Sequence, residues 1–315
     1  MAVKRTIHLW GYDNVPSLIS PESIALFWFL NTKLNDETLN DIEIVFSNNV
    51  GMSATGKLPI LIQDELEVFG FANITNYLIK LNSTDGKNGD EGESLLETAL
   101  FAFLENKINI LVDYQLYLDK KNYDSFTRKQ FPKLMYWPMW NYTPSLKRSE
   151  VRSNFENVIG YLPHSDDKDY LDEKDDLEDV AADMAQSKTF KIKNKLKQRK
   201  REELKAIGYN LQFNNRLVEL LKMWDTVRGN LNTEIEITSD LLFWANMYIL
   251  FNLPTGNNIK THITKSLGES YIDMLNDKIS LVSTKSNYKV TIRDPNFNEQ
   301  GNIIMTLYNF SKYYI

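Results

Sequence analysis

The stretch GMSATGKLPILI, residues 51–62, carries a pattern that could bind a nucleotide phosphate. Its first seven residues fit G-x-x-x-x-G-K, in which backbone N–H groups cradle the phosphates and a Ser or Thr after the lysine holds magnesium. Here Leu58 follows Lys57, and Pro59 leads into a β-prone run where a nucleotide loop would begin a helix. Because the magnesium ligand and the helix N-terminus are both missing, we interpret the segment as a strand that follows a proline.

Other chemistry-bearing residues are sparse. The chain has no cysteine, which excludes disulfides, thiolate metal sites and cysteine nucleophiles. Its three histidines lie far apart and form no H-E-x-x-H pair, so we expect neither a metal site nor a cofactor. Paired carboxylates are abundant only in one acidic run, and no Ser-His-Asp arrangement stands out. The sequence therefore predicts that the protein is not an enzyme.

The net charge and the hydropathy of the chain limit the classes of partner that it can have. The net charge of −6 argues against nucleic acid as the main partner, because phosphate binding needs a basic surface. The longest apolar runs, residues 24–30 and 241–253, are shorter than the roughly 18 to 20 residues that a spanning helix needs. No signal or transit peptide precedes the first strand. We expect no spanning segment, although the protein could lie against a membrane surface.

The first 82 residues alternate between strand-like and helix-like segments. A helix begins at Pro21 with Ser20 as its N-cap, and a second helical pattern covers residues 71–81. The tight spacing of the last two strand-like segments predicts an antiparallel hairpin. The predicted strands are residues 5–10, 42–48, 58–62 and 65–70. The order β-α-β followed by β-β-α is that of a thioredoxin-like domain.

The remainder of the chain is helical in pattern. Residues 83–93 are polar and glycine-rich and predict a linker, and residues 94–315 predict an all-α domain. The helical domain carries a charged, partly mobile insertion at about residues 164–205, acidic in its first half and basic and helical in its second. The predicted fold is an α/β thioredoxin-like domain plus an all-α C-terminal domain, which is the glutathione-transferase-like arrangement.

Pro59, Gly70 and Phe71 are the positions that indicate whether the chain keeps a glutathione-binding site. Thioredoxin-like domains have a cis-proline just before the third strand, so we predict that the Leu58–Pro59 bond is cis. Transferases hold the glutathione γ-glutamyl carboxylate with an acidic or amide residue and a serine after strand four, where this chain has Gly70 and Phe71. Phenylalanine donates no side-chain hydrogen bond, and its ring would fill the pocket. Tyr12 and Ser17 lie near the position of the activating residue, but the carboxylate-binding pair is lost.

Two sets of residues are candidates for partner or membrane contacts. One is an aromatic cluster in residues 131–144, because Trp, Tyr and Met favour protein and membrane interfaces; the alternative is that it fills the seam between the domains. The other is the basic half of the insertion, which could dock on anionic lipid; the alternative is a solvated run neutralised by its acidic neighbour. The candidates are Phe131, Tyr136, Trp137, Trp140, Lys191, Lys195 and Arg199.

Several segments, in order and at matching spacing, resemble one family across essentially the whole chain. They are HLWG (8–11), SIALFWF (23–29), IVFSNN (44–49), GKLPILI (56–62), LVDYQLYLDKKNY (111–123), YNLQFNNRL (209–217), SDLLFWANMY (239–248), RDP (293–295) and QGN (300–302). The chain resembles the metaxin-like subunits of the sorting and assembly machinery in the yeast mitochondrial outer membrane. One departure concerns the helix at Asp240, where transferases have a Ser/Thr cap and this chain has Ile237; Thr238 or Ser239 is expected to cap instead.

The resemblance implies a non-catalytic peripheral subunit on the cytosolic face of the mitochondrial outer membrane. It implies as partners the membrane-embedded barrel subunit, a second metaxin-like subunit and the outer-membrane translocase, with β-barrel precursors contacted directly or through these partners. The implied role is to aid insertion and release of β-barrel precursors and to couple this machinery to the translocase. Two alternatives stay open: a glutathione-dependent transferase, and a peripheral adaptor that binds anionic lipid.

Overall fold

The computed structural model describes residues 4–82, 91–159, 188–229, 237–285 and 289–314. An N-terminal α/β region is followed by a helical region, so the predicted glutathione-transferase-like architecture is confirmed. Within the described ranges, no helix unites the length and hydropathy that crossing a bilayer requires.

The N-terminal sheet forms because its central strands carry apolar residues that are buried in the core. Strand β1 (Arg5–His8) pairs in parallel with β4 (Ile42–Val45) and antiparallel with β5 (Ile60–Gln63), which forms a hairpin with β6 (Leu66–Phe69). Ile7, Ile44 and Leu61 lie opposite one another across three strands and are fully buried. The predicted crossover and hairpin are both present.

A fifth strand was not predicted. Residues Thr291–Arg293 form β7, which pairs in parallel with β4 and completes the strand order β6-β5-β1-β4-β7. The strand is only three residues long, and the alternation of Val290 and Ile292 with polar residues is the local signal that the prediction missed. A short hairpin of β2 (Gly11–Tyr12) and β3 (Val15–Pro16) was also missed.

Helix α1 (Pro21–Lys33) begins as predicted, because the Ser20 side chain accepts a hydrogen bond from the Ser23 N–H. It is buried on nearly every side between the sheet and α10 (Thr238–Asn252), which is equally apolar around its circumference. Trp28 of α1 meets Tyr248 of α10 edge to face, with ring centroids 5.6 Å apart. The apolar circumference of α1 is therefore covered by other elements of the chain.

The other helices of the N-terminal region are α2 (Asp36–Asn40), a 3₁₀ turn (Val50–Met52) and α3 (Phe71–Asn82). The helical region starts at Glu91, three residues before the predicted start of the helical domain at residue 94. Its first rod contains α4 (Glu91–Phe103), a π-helical turn (Leu104–Ile108), α5 (Asn109–Asp113) and a second π-helical turn (Tyr114–Leu118).

The second rod joins α6 (Lys120–Asn122), a π-helical turn (Tyr123–Thr127) and α7 (Arg128–Leu134). Pro132 and Pro144 lie inside helices, whereas Pro138 lies in the break between two of them. The later helices are α8 (Met139–Ile159), α9 (Lys188–Gly229), α10 (Thr238–Asn252), α11 (Gly256–Leu267), α12 (Glu269–Lys285) and α13 (Ile303–Tyr314). The helical prediction for the basic half of the insertion is confirmed, and residues 160–187 lie outside the described residues.

The start of α10 differs from the predicted cap. Ile237 is the N-cap, and the Asp240 carboxylate accepts a hydrogen bond from the Ile237 N–H over 3.0 Å. Arg228 donates to both carboxylate oxygens of Asp240 at 2.9 to 3.2 Å, and Glu97 accepts from the Thr238 N–H at 2.9 Å. Carboxylates from two helices therefore accept hydrogen bonds from the Ile237 and Thr238 N–H groups at this helix start, and neither Thr238 nor Ser239 is the N-cap.

The C-terminal segment returns to the N-terminal sheet at Asn48, which joins several of the quoted motifs. The Asn48 amide bridges the Gly11 backbone, donating to its C=O and accepting from its N–H, both at 2.9 Å. The Asn49 side-chain amide donates a hydrogen bond to the Gln300 C=O at 3.2 Å. A Cβ on Gly301 would lie 3.0 Å from the backbone oxygen of Asn48. Residues 8–11, 44–49 and 300–302 thus meet in one place.

Candidate functional site

The groove beside Pro59 is shaped by the loop that enters β5. The Leu58–Pro59 peptide bond is cis, which agrees with the sequence prediction. The Pro59 C=O accepts a hydrogen bond from the Gly70 N–H at 3.0 Å, so the loop and the start of α3 are held side by side. Gly70 has φ +77, a left-handed conformation that glycine adopts without strain. The two glutathione-site positions therefore adjoin the cis-proline.

A carboxylate of the chain itself occupies the N-terminus of α3. The Phe71 N–H donates to Glu22 Oε2 at 3.3 Å, and a Cβ placed on Gly70 would lie 3.9 Å from the same oxygen. The first N–H groups of a helix attract anions through their partial positive charge. In transferases a glutathione carboxylate is held at the start of this helix, whereas here a half-buried glutamate fills that place.

The Phe71 ring lies elsewhere than expected. It is fully buried and meets Phe101 of α4 edge to face, with ring centroids 5.8 Å apart. The ring therefore joins α3 to the helical region, and it is Glu22 that fills the carboxylate position. Glu22 was not among the residues predicted for this site. A helix-start glutamate near a glutathione-like groove is the signal that could have identified it.

Burial and neighbouring like charges shift the pKa values of the carboxyl groups around this groove. Burial, reinforced by repulsion from Glu105, raises the pKa of Glu22 from 4.5 to about 7, although the Phe71 N–H and Lys57 act in the opposite direction. Burial also raises the pKa values of Glu105 and Asp113. The groove thus lies between carboxyl groups of α1, the π-helical turn after α4, and α5, with Lys57 contributed by the loop.

Two lysines partly compensate the carboxylates. Lys147 of α8 lies 3.2 Å from Glu150, and Lys57 lies 4.0 Å from the same glutamate. Burial lowers the pKa of Lys147, but Asp113 and Glu150 outweigh this effect and raise it. The arrangement is a mixed ionic cluster across the two regions of the fold.

Tyr12 and Ser17 do not reach this groove. Both line a separate cavity of about 480 Å³ between the β2–β3 hairpin, α1, α7 and α10, together with residues such as Phe27 and Trp28. Glu22, Pro59 and Phe71 are not part of its lining. The structure therefore does not bring a candidate activating hydroxyl to the position of the former carboxylate site.

The aromatic cluster divides between interior and surface. Phe131 is 1% exposed and meets Trp10 of the sheet region edge to face at 6.1 Å, so its burial leaves it no surface to offer a partner. Trp140 is partly buried against the core. Tyr136 and Trp137 are 59% and 75% exposed. The seam-filling alternative describes Phe131, and the contact hypothesis now rests on Tyr136 and Trp137.

The basic candidates Lys191, Lys195 and Arg199 lie on α9, but their side chains fall outside the described part of the chain. Within the ranges that the structure describes, no group of three or more acidic or histidine side chains is arranged to hold a metal ion. His8, the histidine in the sheet, is buried in β1, and burial lowers its pKa to about 4.

Comparison with known families accounts for both regions of the fold. No curated protein matches the chain. Residues 23–148 match the family model described as outer mitochondrial membrane transport complex protein, and residues 164–314 match the Tom37 C-terminal domain. The match confirms the family resemblance inferred from the sequence. The two models together span most of the sheet region and the helical region, so the chain belongs to the Tom37 family, whose place is in a transport complex of the outer mitochondrial membrane.

Proposed function

We propose that this chain is a non-catalytic peripheral subunit of the machinery that assembles β-barrel proteins in the mitochondrial outer membrane. In this role it sits on the cytosolic face, aids insertion and release of β-barrel precursors, and couples the machinery to the outer-membrane translocase. The partners that the metaxin-like resemblance implies are the membrane-embedded barrel subunit and a second metaxin-like subunit. The family match supports the membrane and the complex, and the finer role rests on the resemblance.

The observation that carries the non-catalytic part of the proposal is the contact of Glu22 with the Phe71 N–H. A transferase must bind the carboxylate of its substrate at this helix start, and here the position already holds a carboxylate of the chain. A second carboxylate would add like charge beside Glu22, Glu105 and Asp113, which is unfavourable in a partly buried groove. This favours a fold retained for binding partners over one retained for chemistry.

Purification from mitochondria tests the assembly role. The full chain, tagged and isolated from outer membranes in mild detergent, is expected to bring down the membrane-embedded barrel subunit and a second metaxin-like subunit. Cells lacking the chain are expected to accumulate β-barrel precursors at the outer membrane. Recovery of a lone monomer, together with normal barrel assembly in the depleted cells, would overturn the proposal.

The cavity lined by Tyr12 and Ser17 keeps the glutathione-dependent transferase as a second candidate. Calorimetry of the purified chain with millimolar glutathione is expected to show no saturable heat. A matched titration of the Glu22→Ala variant removes the competing carboxylate and reports whether the groove itself can still accept the ligand. Saturable binding by the native chain would favour the transferase and contradict the non-catalytic proposal.

A further inference from the structure

The second helical rod presents one continuous exposed stripe. Between residues 120 and 137 the exposed residues recur as adjacent pairs every four positions, while the residues between them are buried or half-buried. Positions four apart in a helix lie one above the other, so the pairs up to Lys133 share a face, and Tyr136 and Trp137 follow in the break after α7. The fifteen helical residues span about 22 Å. The stripe consists of Lys120, Lys121, Asp124, Ser125, Arg128, Lys129, Pro132, Lys133, Tyr136 and Trp137.

The charge of this stripe opposes that of the protein. It carries five cations and one acidic residue, in a chain whose net charge is −6. No ion pair joins any of the five cations to another residue of the described ranges. The neighbouring β2–β3 hairpin adds one exposed acidic residue, Asp13. The stripe is therefore a cationic surface whose countercharge is not supplied by the described part of the fold.

The stripe ends in two exposed aromatic residues that follow buried residues of the chain. Tyr136 and Trp137 project from a segment whose preceding residues, Phe131 and Met135, are buried. The Met135 methyl group lies 3.3 Å from the position that a Cβ on Gly301 would take. The C-terminal segment therefore packs against the residue that precedes Tyr136 and Trp137. Trp and Tyr rings favour the level of lipid headgroups, and Lys and Arg beside them attract anionic lipids.

We propose that the stripe of residues 120–137 is the surface by which this chain rests on an anionic lipid bilayer. The cations lie over the headgroups along about 22 Å of helix, and Trp137 enters the interface at one end. The inference rests on the proposed function, because that function places the chain at a membrane surface. A second copy of the chain is a poor occupant, since a two-fold contact would set the same cations against each other.

Vesicle flotation of the purified full chain tests this surface. The chain is expected to float with vesicles that contain phosphatidylserine and not with vesicles of phosphatidylcholine alone. Each Lys or Arg near an anionic surface strengthens partitioning about fivefold. The triple variant Arg128→Gln, Lys129→Gln, Lys133→Gln should therefore partition about 100-fold more weakly.

The matched control neutralises three exposed lysines on other helices, Lys80→Gln, Lys222→Gln and Lys265→Gln. This variant has the same net charge as the stripe variant and is expected to float like the native chain. Equal losses in the two variants would show a diffuse charge effect and overturn the proposal. So would flotation of the native chain that does not depend on phosphatidylserine, or an absence of flotation altogether.

Trp137 provides an independent readout of insertion. It is the most exposed of the tryptophans whose exposure is described, whereas Trp10, Trp28, Trp224 and Trp244 are buried. Lipids brominated near the headgroup should quench part of the fluorescence of the native chain and of the Trp140→Phe control. The Trp137→Phe variant should lose that quenchable part. Quenching that persists in Trp137→Phe would place another tryptophan in the bilayer and contradict the proposed orientation.

The flotation experiment separates this inference from the proposed function, because it contains no partner proteins. A chain that co-purifies with the barrel subunit but does not float leaves the assembly role intact and overturns the lipid surface. If the stripe variant floats like the native chain and is lost from the purified complex, the stripe binds an acidic protein and the lipid proposal is wrong.

Discussion

Glu22 and Phe71 are 49 positions apart in the chain, and the carboxylate of the first accepts a hydrogen bond from the backbone N–H of the second at 3.3 Å. The contact joins the first turn of α1 to the first turn of α3. It satisfies one of the N–H groups that a helix start leaves without an intrahelical partner. The same carboxyl has its pKa raised by burial to about 7, so its charge changes near neutral pH.

This shift predicts a pH dependence of stability. Between pH values near 4.5 and 7 the Glu22 carboxyl binds more protons in the folded than in the unfolded chain, so its contribution to stability falls as pH rises through that window. For this half-buried group the loss is about 1 to 3 kcal/mol. Glu22→Gln should therefore be more stable than the native chain by about this amount near pH 8. Urea unfolding across the window measures it.

Glu105 and Asp113 have pKa values raised by burial, and His8 has a pKa lowered by burial, so these groups also make stability depend on pH. They are present in both the native chain and the Glu22→Gln variant. The difference between the two stability profiles therefore reports Glu22. Glu65→Gln, at an exposed position of the β5–β6 turn, serves as the control and should leave the pH profile unchanged. Parallel profiles for the native chain and Glu22→Gln would contradict the prediction.

The clamp of Asn48 on Gly11 should be costly to remove. Asn48→Ala loses two buried hydrogen bonds of 2.9 Å and also places alanine at φ +52. We expect a loss of about 2 to 4 kcal/mol in the free energy of unfolding. Asn48→Gly loses the same bonds but tolerates the left-handed backbone, so the difference between the two variants measures the backbone part. Equal costs for Ala and Gly would show that the conformation contributes nothing.

Gly11 itself leaves no room for a side chain. A Cβ there would lie 2.1 Å from the Phe46 ring and 2.6 Å from the Val15 C=O. Gly11→Ala should lower the free energy of unfolding by at least about 2 kcal/mol. Adding Phe46→Leu should recover part of this loss, because it relieves the ring contact but not the backbone contact. Thermal unfolding of the two single variants and the double variant tests the coupling, and strict additivity would argue against it.

The Asp240 carboxylate stabilises the N-terminus of α10. Asp240→Ala removes the acceptor of the Ile237 N–H and leaves Arg228, which is 18% exposed, without this partner; we expect a loss of about 3 kcal/mol. Asp240→Asn keeps an acceptor for the N–H and should cost about half as much. Chemical denaturation ranks the two variants. An alanine variant within about 0.5 kcal/mol of the native chain would show that Glu97 alone suffices to cap the helix.

The sequence indicated elements whose signals are local. Ser20 and Pro21 mark the start of α1, the apolar rows predict β1, β4 and β5, and the short gap at Gln63–Asp64 predicts the β5–β6 hairpin. The strand β7 and the bond between Glu22 and Phe71 are of another kind. Each depends on a partner far away in the chain: the alternation around Ile292 indicates a strand and Glu22 indicates a helix start, but neither signal identifies the distant partner.

The candidate site shows the same division. Gly70 and Phe71 could be placed by counting from strand four, but the identity of the group that replaced the ligand could not. The aromatic cluster was visible as composition, whereas its division depends on where α7 ends: Phe131 lies on the buried face of the helix, and Trp137 lies in the break after it.

Strand β7 has a consequence for how the chain is made. Glu43 and Arg293 are joined by an ion pair across 250 positions, next to the pairing of β4 with β7. A ribosome that adds 5 to 20 residues per second needs about 10 to 50 seconds to reach the second partner after the first. Throughout that interval the edge of β4 in the nascent sheet is open, and other unpaired strands could add to it. A fragment ending at residue 82 would keep that edge permanently, so the N-terminal region cannot be excised as a complete unit.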